Sequence, residues 1–216
     1  MADAVFFDLD GTLADTAPDF ARILHHLQRE HGLSLTPFEA VRAQVSHGVR
    51  GMLGIGFGIA PDAEAYPELA ARFLEHYAEG LCIGTCLFPG MAELLEQLET
   101  RGVPWGIVTN KPARYTHPLI AALGLETRSA CVVGGDTAAR PKPYPDPLLH
   151  ACAAVNVEPT RCLYVGDDIR DIAAGKAAGM TTLAAAYGYL GTDDPIGTWG
   201  AHSIIRHPLD VLAHLG

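Results

Sequence analysis

Two hydrophobic patterns alternate along most of this chain. Short apolar runs at Val5-Phe6-Phe7, Val103 to Val108, Ala130 to Val133, Cys162 to Val165, Thr181 to Ala185 and Ser203 to Ile205 read as buried strands. Between them, apolar residues recur at helical spacing: Met91, Leu94, Leu95 and Leu98, then Tyr115 to Leu123, Leu148 to Val155, Ile169 to Ala178 and Leu209 to Leu215. Strand and helix in alternation predict an α/β fold, a Rossmann-like parallel sheet with helices on both faces. In such sheets ligands bind at the carboxyl ends of the strands.

One long stretch departs from the alternation. After the first strand, Phe20, Ile23, Leu24 and Leu27 predict a helix from Ala17 to His31, with Thr16 as N-cap, Pro18 in the first turn and Asp19 three residues after the Thr. Two further stripes, Phe38-Val41-Val45 and Leu69-Phe73-Leu74-Tyr77, continue the helical pattern. The glycine-rich segment His47 to Gly54 between them is expected to interrupt it. No strand is expected before the Phe88-Pro89-Gly90 turn, so the pattern predicts an α-helical insertion. Residues 1–14 and 88–216 then form the α/β core, and residues 15–87 a helical cap.

The 216 residues are enough for one core with a small inserted module. A composition of 49% hydrophobic and 19% charged residues is that of a folded globule. The net charge of -10 argues against nucleic-acid binding, which needs a basic face. An anionic substrate would therefore need a locally positive pocket or a metal. The cysteines, Cys82, Cys86, Cys131, Cys152 and Cys162, are odd in number and lack zinc spacing, which fits a reduced cytoplasmic chain. No run approaches membrane-spanning length and no signal segment is expected. A monomer or homodimer is expected.

The chemistry gathers where predicted strands end. Phe6-Phe7-Asp8-Leu9-Asp10-Gly11-Thr12 places two carboxylates two residues apart, on one side of an extended segment, before a glycine turn. Such a pair repels unless a cation or a shared proton intervenes. Thr109 and Asn110 close a second strand with groups able to donate to a phosphate oxygen. Lys142 lies among Pro141, Pro143, Pro145 and Pro147, which stiffen its loop. Asp167, Asp168 and Asp171 follow a further strand. Carboxylates gathered at one sheet edge form a hard-oxygen site suited to Mg²⁺.

Taken together, Asp8-Leu9-Asp10-Gly11-Thr12, Thr109, Arg140-Pro141-Lys142-Pro143 and Gly166-Asp167-Asp168-Ile169-Arg170-Asp171 resemble the four motifs of the haloacid dehalogenase superfamily, in order and across the whole chain. The resemblance implies Asp8 as nucleophile forming an aspartyl-phosphate, Asp10 as general acid and base, Thr109 as phosphoryl ligand and Lys142 as neutralising cation. It implies Asp8, Asp10 and Asp167 as Mg²⁺ ligands, with Asp171 and Asp168 outside them, and Gly11 and Asn110 among the substrate-binding groups. Chain length and cap position resemble the phosphoglycolate phosphatases. Thr109 to Pro112, Tyr187-Gly188-Tyr189 and Trp199-Gly200-Ala201 are also similar to a branch acting on N-acetylmuramic acid 6-phosphate. Both substrates are small carboxylate-bearing phosphate monoesters, and the glycine-flanked Arg50 is the expected cap cation, with His47, Lys111 and Arg114 at the rim. A phosphosugar mutase of the same fold and a non-catalytic receiver module phosphorylated on Asp are the alternatives. Trp105 and Trp199 read as packing residues.

Overall fold

The structure, a computed structural model, describes residues 2–191 and 194–216. Met1, Thr192 and Asp193, which the division above assigns to the core, lie outside the described residues. The first strand, β1 (Ala4–Phe7), is fully buried and is followed by a two-residue strand, β2 (Ala14–Asp15). Four helices come next: α1 (Ala17–Glu30), α2 (Phe38–Arg42), α3 (Gly48–Phe57) and α4 (Tyr66–Glu79). Strand β3 (Cys86–Leu87) then leads to α5 (Met91–Thr100), β4 (Trp105–Val108), α6 (Ala113–Ala122), β5 (Cys131–Val133) and α7 (Asp146–Val155). The chain finishes with β6 (Cys162–Gly166), α8 (Ile169–Ala177), β7 (Thr181–Ala185) and β8 (Ser203–Ile205).

Six strands form one parallel sheet in the order β5-β4-β1-β6-β7-β8. β1 lies between β4 and β6, with Val5 opposite Trp105 on one side and Leu163 on the other. Strand order reverses about β1, so the crevice of the sheet opens at its carboxyl end. That is where the chain enters the four-helix segment.

The expectation of helices alone between β1 and Phe88 needs correction. β2 and β3 pair antiparallel, Ala14 with Leu87 and Asp15 with Cys86, so the two connections between core and helical segment run side by side as a ribbon. A two-residue strand is too short for alternation to register in the sequence.

The expected break at His47 to Gly54 also gives way, to helix α3. Isolated glycine costs a helix about 1 kcal/mol relative to Ala, and close packing explains its presence here. A Cβ at Gly51 would meet the Gln44 carbonyl, and one at Gly56 would meet Leu24 of α1. The expected helix Leu209 to Leu215 is a 3₁₀ segment, Pro208–His214.

The α1–α4 seam is built on Phe20, whose ring centroid lies 5.7 Å from that of Phe73 and 5.1 Å from that of Tyr77. Thr16 stands at the start of α1, but its hydroxyl does not cap the helix. The Tyr189 Oη accepts from the N–H groups of Thr16 (2.7 Å) and Ala17 (2.9 Å) and donates to Asp15 (2.8 Å). Asp19 is buried and accepts from the N–H groups of Gly84 and Thr85 and from the Thr85 hydroxyl, tying α1 to the outgoing connection. Two arginines join the helical segment to the core. Arg42 donates to the carbonyls of Tyr187 and Gly188, and Arg170 to that of Ser46.

Candidate active site

Where β1 stops, Asp8 donates its N–H to the Val165 carbonyl and so still follows the sheet. The chain then folds over through a turn in which the N–H of Ala14 reaches the Leu9 carbonyl. Gly11 sits at φ +88°, and a Cβ there would collide with the Asp167 carboxylate and the Tyr189 ring. Both acids line one cavity, Asp8 beside Lys142 and Asp10 beside the start of α1. There Asp10 accepts from the Thr16 hydroxyl (2.6 Å) and pairs with Lys111 Nζ (2.9 Å).

The carboxylates that come within 4.8 Å of one another are those of Asp8, Asp167 and Asp171. Of the expected ligands Asp8, Asp10 and Asp167, the Asp10 side chain pairs with Lys111, and the Asp171 carboxylate, expected outside them, joins the cluster. Asp168 is occupied elsewhere, as the N-cap of α8 and the bidentate partner of Arg170 at 2.8 Å. Each oxygen of Asp167 accepts one hydrogen bond, from the Thr12 hydroxyl (2.8 Å) and from the Tyr189 N–H (2.9 Å).

Lys142 is buried beneath this group. Its three N–H bonds go to Asp171 (2.6 Å), Tyr164 Oη (2.8 Å) and the Val108 carbonyl (3.0 Å). An ammonium has no fourth donor. The Asp8 Oδ1 atom lies 2.9 Å from Nζ as an ion pair and is buried without a well-aligned hydrogen-bond donor. Asn110 lines the cavity but does not offer its amide oxygen to a ligand. It clamps the Lys142 backbone, donating to the carbonyl and accepting from the N–H, both at 2.9 Å. The Thr109 hydroxyl oxygen accepts from the Lys111 N–H (3.2 Å), leaving its own proton to donate.

Charge decides what this arrangement can hold. Burial pushes the Asp167 carboxyl well above the usual range, and Asp8 and Asp171 push it further, against the Tyr189 and Thr12 hydrogen bonds. Burial likewise raises Asp171, despite Lys142. For Lys142 and Lys111 burial favours the neutral amine, but their carboxylate partners outweigh it and raise both. Three converging carboxylates against one ammonium leave an excess of negative charge. The all-oxygen donor set, with a buried Asp8 oxygen that has no donor, fits a hard divalent cation.

Above the acids lies a cavity of about 360 Å³, walled on the helical side by Phe20, Val45, Val49, Phe73, Leu74 and Tyr77. It brings together Asp8, Asp10, Thr109, Asn110, Lys142, Asp168 and Asp171. Asp167 and Gly11 pack just beneath. The structure does not bring Arg50 to the cavity. Gly51, Met52 and Leu53 form the inward side of α3, and the helix carries Arg50 outward to an exposed position. The cations around the cavity are Lys111, Arg114, Lys142 and Arg170, with His47. Arg114 alone of the four has no carboxylate partner among the described residues; it stacks over Tyr115, 4.7 Å from the ring centroid.

Several roles are not read from the sequence: Lys111 as partner of Asp10, Tyr164 beneath Lys142, Arg170 as a link to the helical segment, and Tyr189 at the start of α1. Lys111, Arg170 and Tyr189 lie within stretches whose resemblance is noted above, and Tyr164 lies in the strand before the acids.

The family model for haloacid dehalogenase-like hydrolases matches residues 2–179. The chain is 42% identical over 208 residues to N-acetylmuramic acid 6-phosphate phosphatase of Pseudomonas putida, covering 96% of this chain and 93% of that protein. It is 44% identical over 206 residues to phosphoglycolate phosphatase of Xanthomonas campestris pv. campestris, covering 95% and 92%. The crystal structure of a predicted phosphoglycolate phosphatase from Haemophilus somnus superposes with a TM-score of 0.87 at 27% identity, covering 100% of this chain and 98% of that one.

Proposed function

Because the chain belongs to the haloacid dehalogenase-like hydrolases, we propose that it is a Mg²⁺-dependent phosphatase that hydrolyses a small carboxylate-bearing phosphate monoester through an aspartyl-phosphate on Asp8. The observation that carries this reading is the Asp8 carboxylate itself. It stands at the carboxyl end of the central strand, opens on the cavity, and is held beside Lys142 by charge without a hydrogen bond to blunt its Oδ1 atom.

A carboxylate approaching a phosphate dianion meets repulsion, which Lys142 offsets from below. Asp8, Asp167 and Asp171 are the residues that would hold Mg²⁺, whose charge offsets the rest of that repulsion. As the Asp8 oxygen bonds to phosphorus, the ester P–O bond breaks and the leaving alcohol oxygen takes a proton from Asp10. Asp10 then accepts a proton from the water that attacks phosphorus, releasing inorganic phosphate and the free Asp8 carboxylate. Thr12 and Tyr189 keep Asp167 in place, Thr109 donates to a phosphoryl oxygen, and Thr16 with Lys111 orients Asp10. The helical segment acts as the cap over this chemistry.

On the substrate, the cavity has room for either ester, and the cap-side hydroxyls favour N-acetylmuramic acid 6-phosphate. About 360 Å³ falls at the low end of the range of roughly 300–1,000 Å³ for pockets that enclose drug-sized ligands, and is ample for a two-carbon ester. The Ser46 and Tyr77 hydroxyls on the cap side are buried without hydrogen-bond partners, an arrangement suited to a substrate with hydroxyl and amide groups of its own. Arg114 replaces Arg50 as the cation for the substrate carboxylate. The 44% identity to a phosphoglycolate phosphatase supports 2-phosphoglycolate as the second reading.

A phosphate-release assay with Mg²⁺ compares the two esters. The expected result is a higher kcat/KM for the muramic acid ester and a loss of roughly 10⁴-fold or more in kcat for Asp8→Asn, with circular dichroism unchanged. Multiple-turnover phosphate release by Asp8→Asn at the wild-type rate would remove the nucleophile assignment. Sustained release by the wild type excludes a receiver module, and release without sugar-phosphate isomerisation excludes a mutase.

A further inference from the structure

On the outer side of the helical segment, away from the acids, α1 and α4 bring His26, Glu30, Arg72 and His76 together. His26 and Glu30 are four residues apart on α1, and Arg72 and His76 four apart on α4, so each pair lies on one helix face. His26 faces His76, and Glu30 faces Arg72, as the two helices run antiparallel. An i,i+4 His–Glu pair by itself is an ordinary helix-surface contact. What distinguishes this one is a third ligand supplied by another helix.

The His26, Glu30 and His76 ligand atoms lie within 4.8 Å of one another. His26 Nε2 is 3.4 Å from Glu30 Oε1, and the two imidazole centroids are 4.7 Å apart with the rings at 85°. Two ligands on a tetrahedral zinc, with bonds near 2.0–2.1 Å, stand about 3.3–3.4 Å apart. The surroundings are those of a supported site. Arg72 takes the other carboxylate oxygen, Oε2, at 2.6 Å and leaves Oε1 toward the histidines. Glu79 Oε2 lies 3.7 Å from His76 Nδ1. A partner such as Arg72 orients a ligating carboxylate.

We propose that His26, Glu30 and His76 form a second cation site on the cap, selective for a borderline transition metal such as Zn²⁺ and distinct from the oxygen site at Asp8, Asp167 and Asp171. Two imidazoles and one carboxylate suit Zn²⁺, whereas the aspartate cluster suits Mg²⁺. The ion clamps α1 to α4. The same two helices carry Phe20, Phe73 and Tyr77 to the cavity, so the clamp stiffens its wall.

The test is Zn²⁺ titration of the full chain by calorimetry with Mg²⁺ in excess, alongside Co²⁺ absorption spectra and melting curves. The expected result is one Zn²⁺ per chain, tetrahedral Co²⁺ bands and a Zn²⁺-dependent rise in Tm. His26→Ala and His76→Ala should each weaken Zn²⁺ binding by more than about 100-fold, beyond the roughly 10–100-fold that loss of a supporting partner costs, and should abolish the Co²⁺ bands. His26 is exposed and His76 half-buried, and circular dichroism checks that both variants stay folded. Absence of Zn²⁺ binding, or binding that survives in both variants, overturns the proposal.

Discussion

Single side chains in this site work by holding other side chains. Asn110 illustrates it: a residue lining the cavity fixes the main chain of Lys142 with two hydrogen bonds. Lys142 in turn must sit beneath Asp8 and Asp171 together. Asn110→Ala is therefore expected to lower kcat by roughly 10–100-fold, the scale on which a displacement of about 1 Å acts, with little change in KM. Steady-state kinetics give the split; a rise in KM at constant kcat would return Asn110 to the role of substrate ligand. Lys111 plays a similar part for Asp10, reinforced by the Tyr77 ring, whose centroid is 4.6 Å from Nζ.

At the scale of elements, the strand ends are locked to their neighbours by contacts remote from the chemistry. Glu99, in the last turn of α5, accepts from the indole N–H of Trp105 at the start of β4 and from Arg128 ahead of β5. Burial opposes its ionisation, but the Arg128 and Trp105 hydrogen bonds outweigh that and hold the carboxyl below its ordinary value. A carboxyl depressed in the folded state contributes stability above its unfolded value, about 4.3, and loses that contribution as pH falls through the folded value. Glu99→Gln keeps the indole bond and removes the charge. The wild type should exceed the variant by about 0.5–1 kcal/mol near neutrality, the scale of exposed pairs, and the difference should vanish toward pH 3. Melting curves followed by Trp fluorescence measure it, and a gap that widens on acidification contradicts the assignment.

For the whole molecule, the governing feature is an excess of like charge at the centre of the sheet edge. Asp8, Asp167 and Asp171 crowd around one ammonium, and burial already resists the ionised forms of Asp167 and Asp171. A cation that binds only the folded arrangement stabilises it by mass action, about 2.7 kcal/mol at a hundredfold excess over Kd. Removing divalent ions with a chelator should thus lower Tm as well as abolish turnover, and Mg²⁺ should restore both. The Asp167→Asn variant should lose the Tm response. A Tm indifferent to Mg²⁺ in the wild type contradicts a metal at these residues.

The sequence by itself determined the parts that depend on local pattern. Apolar runs and helical stripes delivered the parallel sheet, because each element buries its own face, and Thr181 to Ala185 and Ser203 to Ile205 match the observed strands residue for residue. The motif residues were legible because loops at strand ends show an abrupt change from apolar to acidic. Tertiary structure decided what depends on neighbours distant in the chain. The glycines of α3 pack closely against Gln44 and Leu24, and Arg50 on the same helix is exposed. Lys111, a hundred and one positions away from Asp10, is its partner. The side chain of a strand-end residue can be aimed only once the loop's φ, ψ angles and its partners are known, and spacing along the chain contains neither.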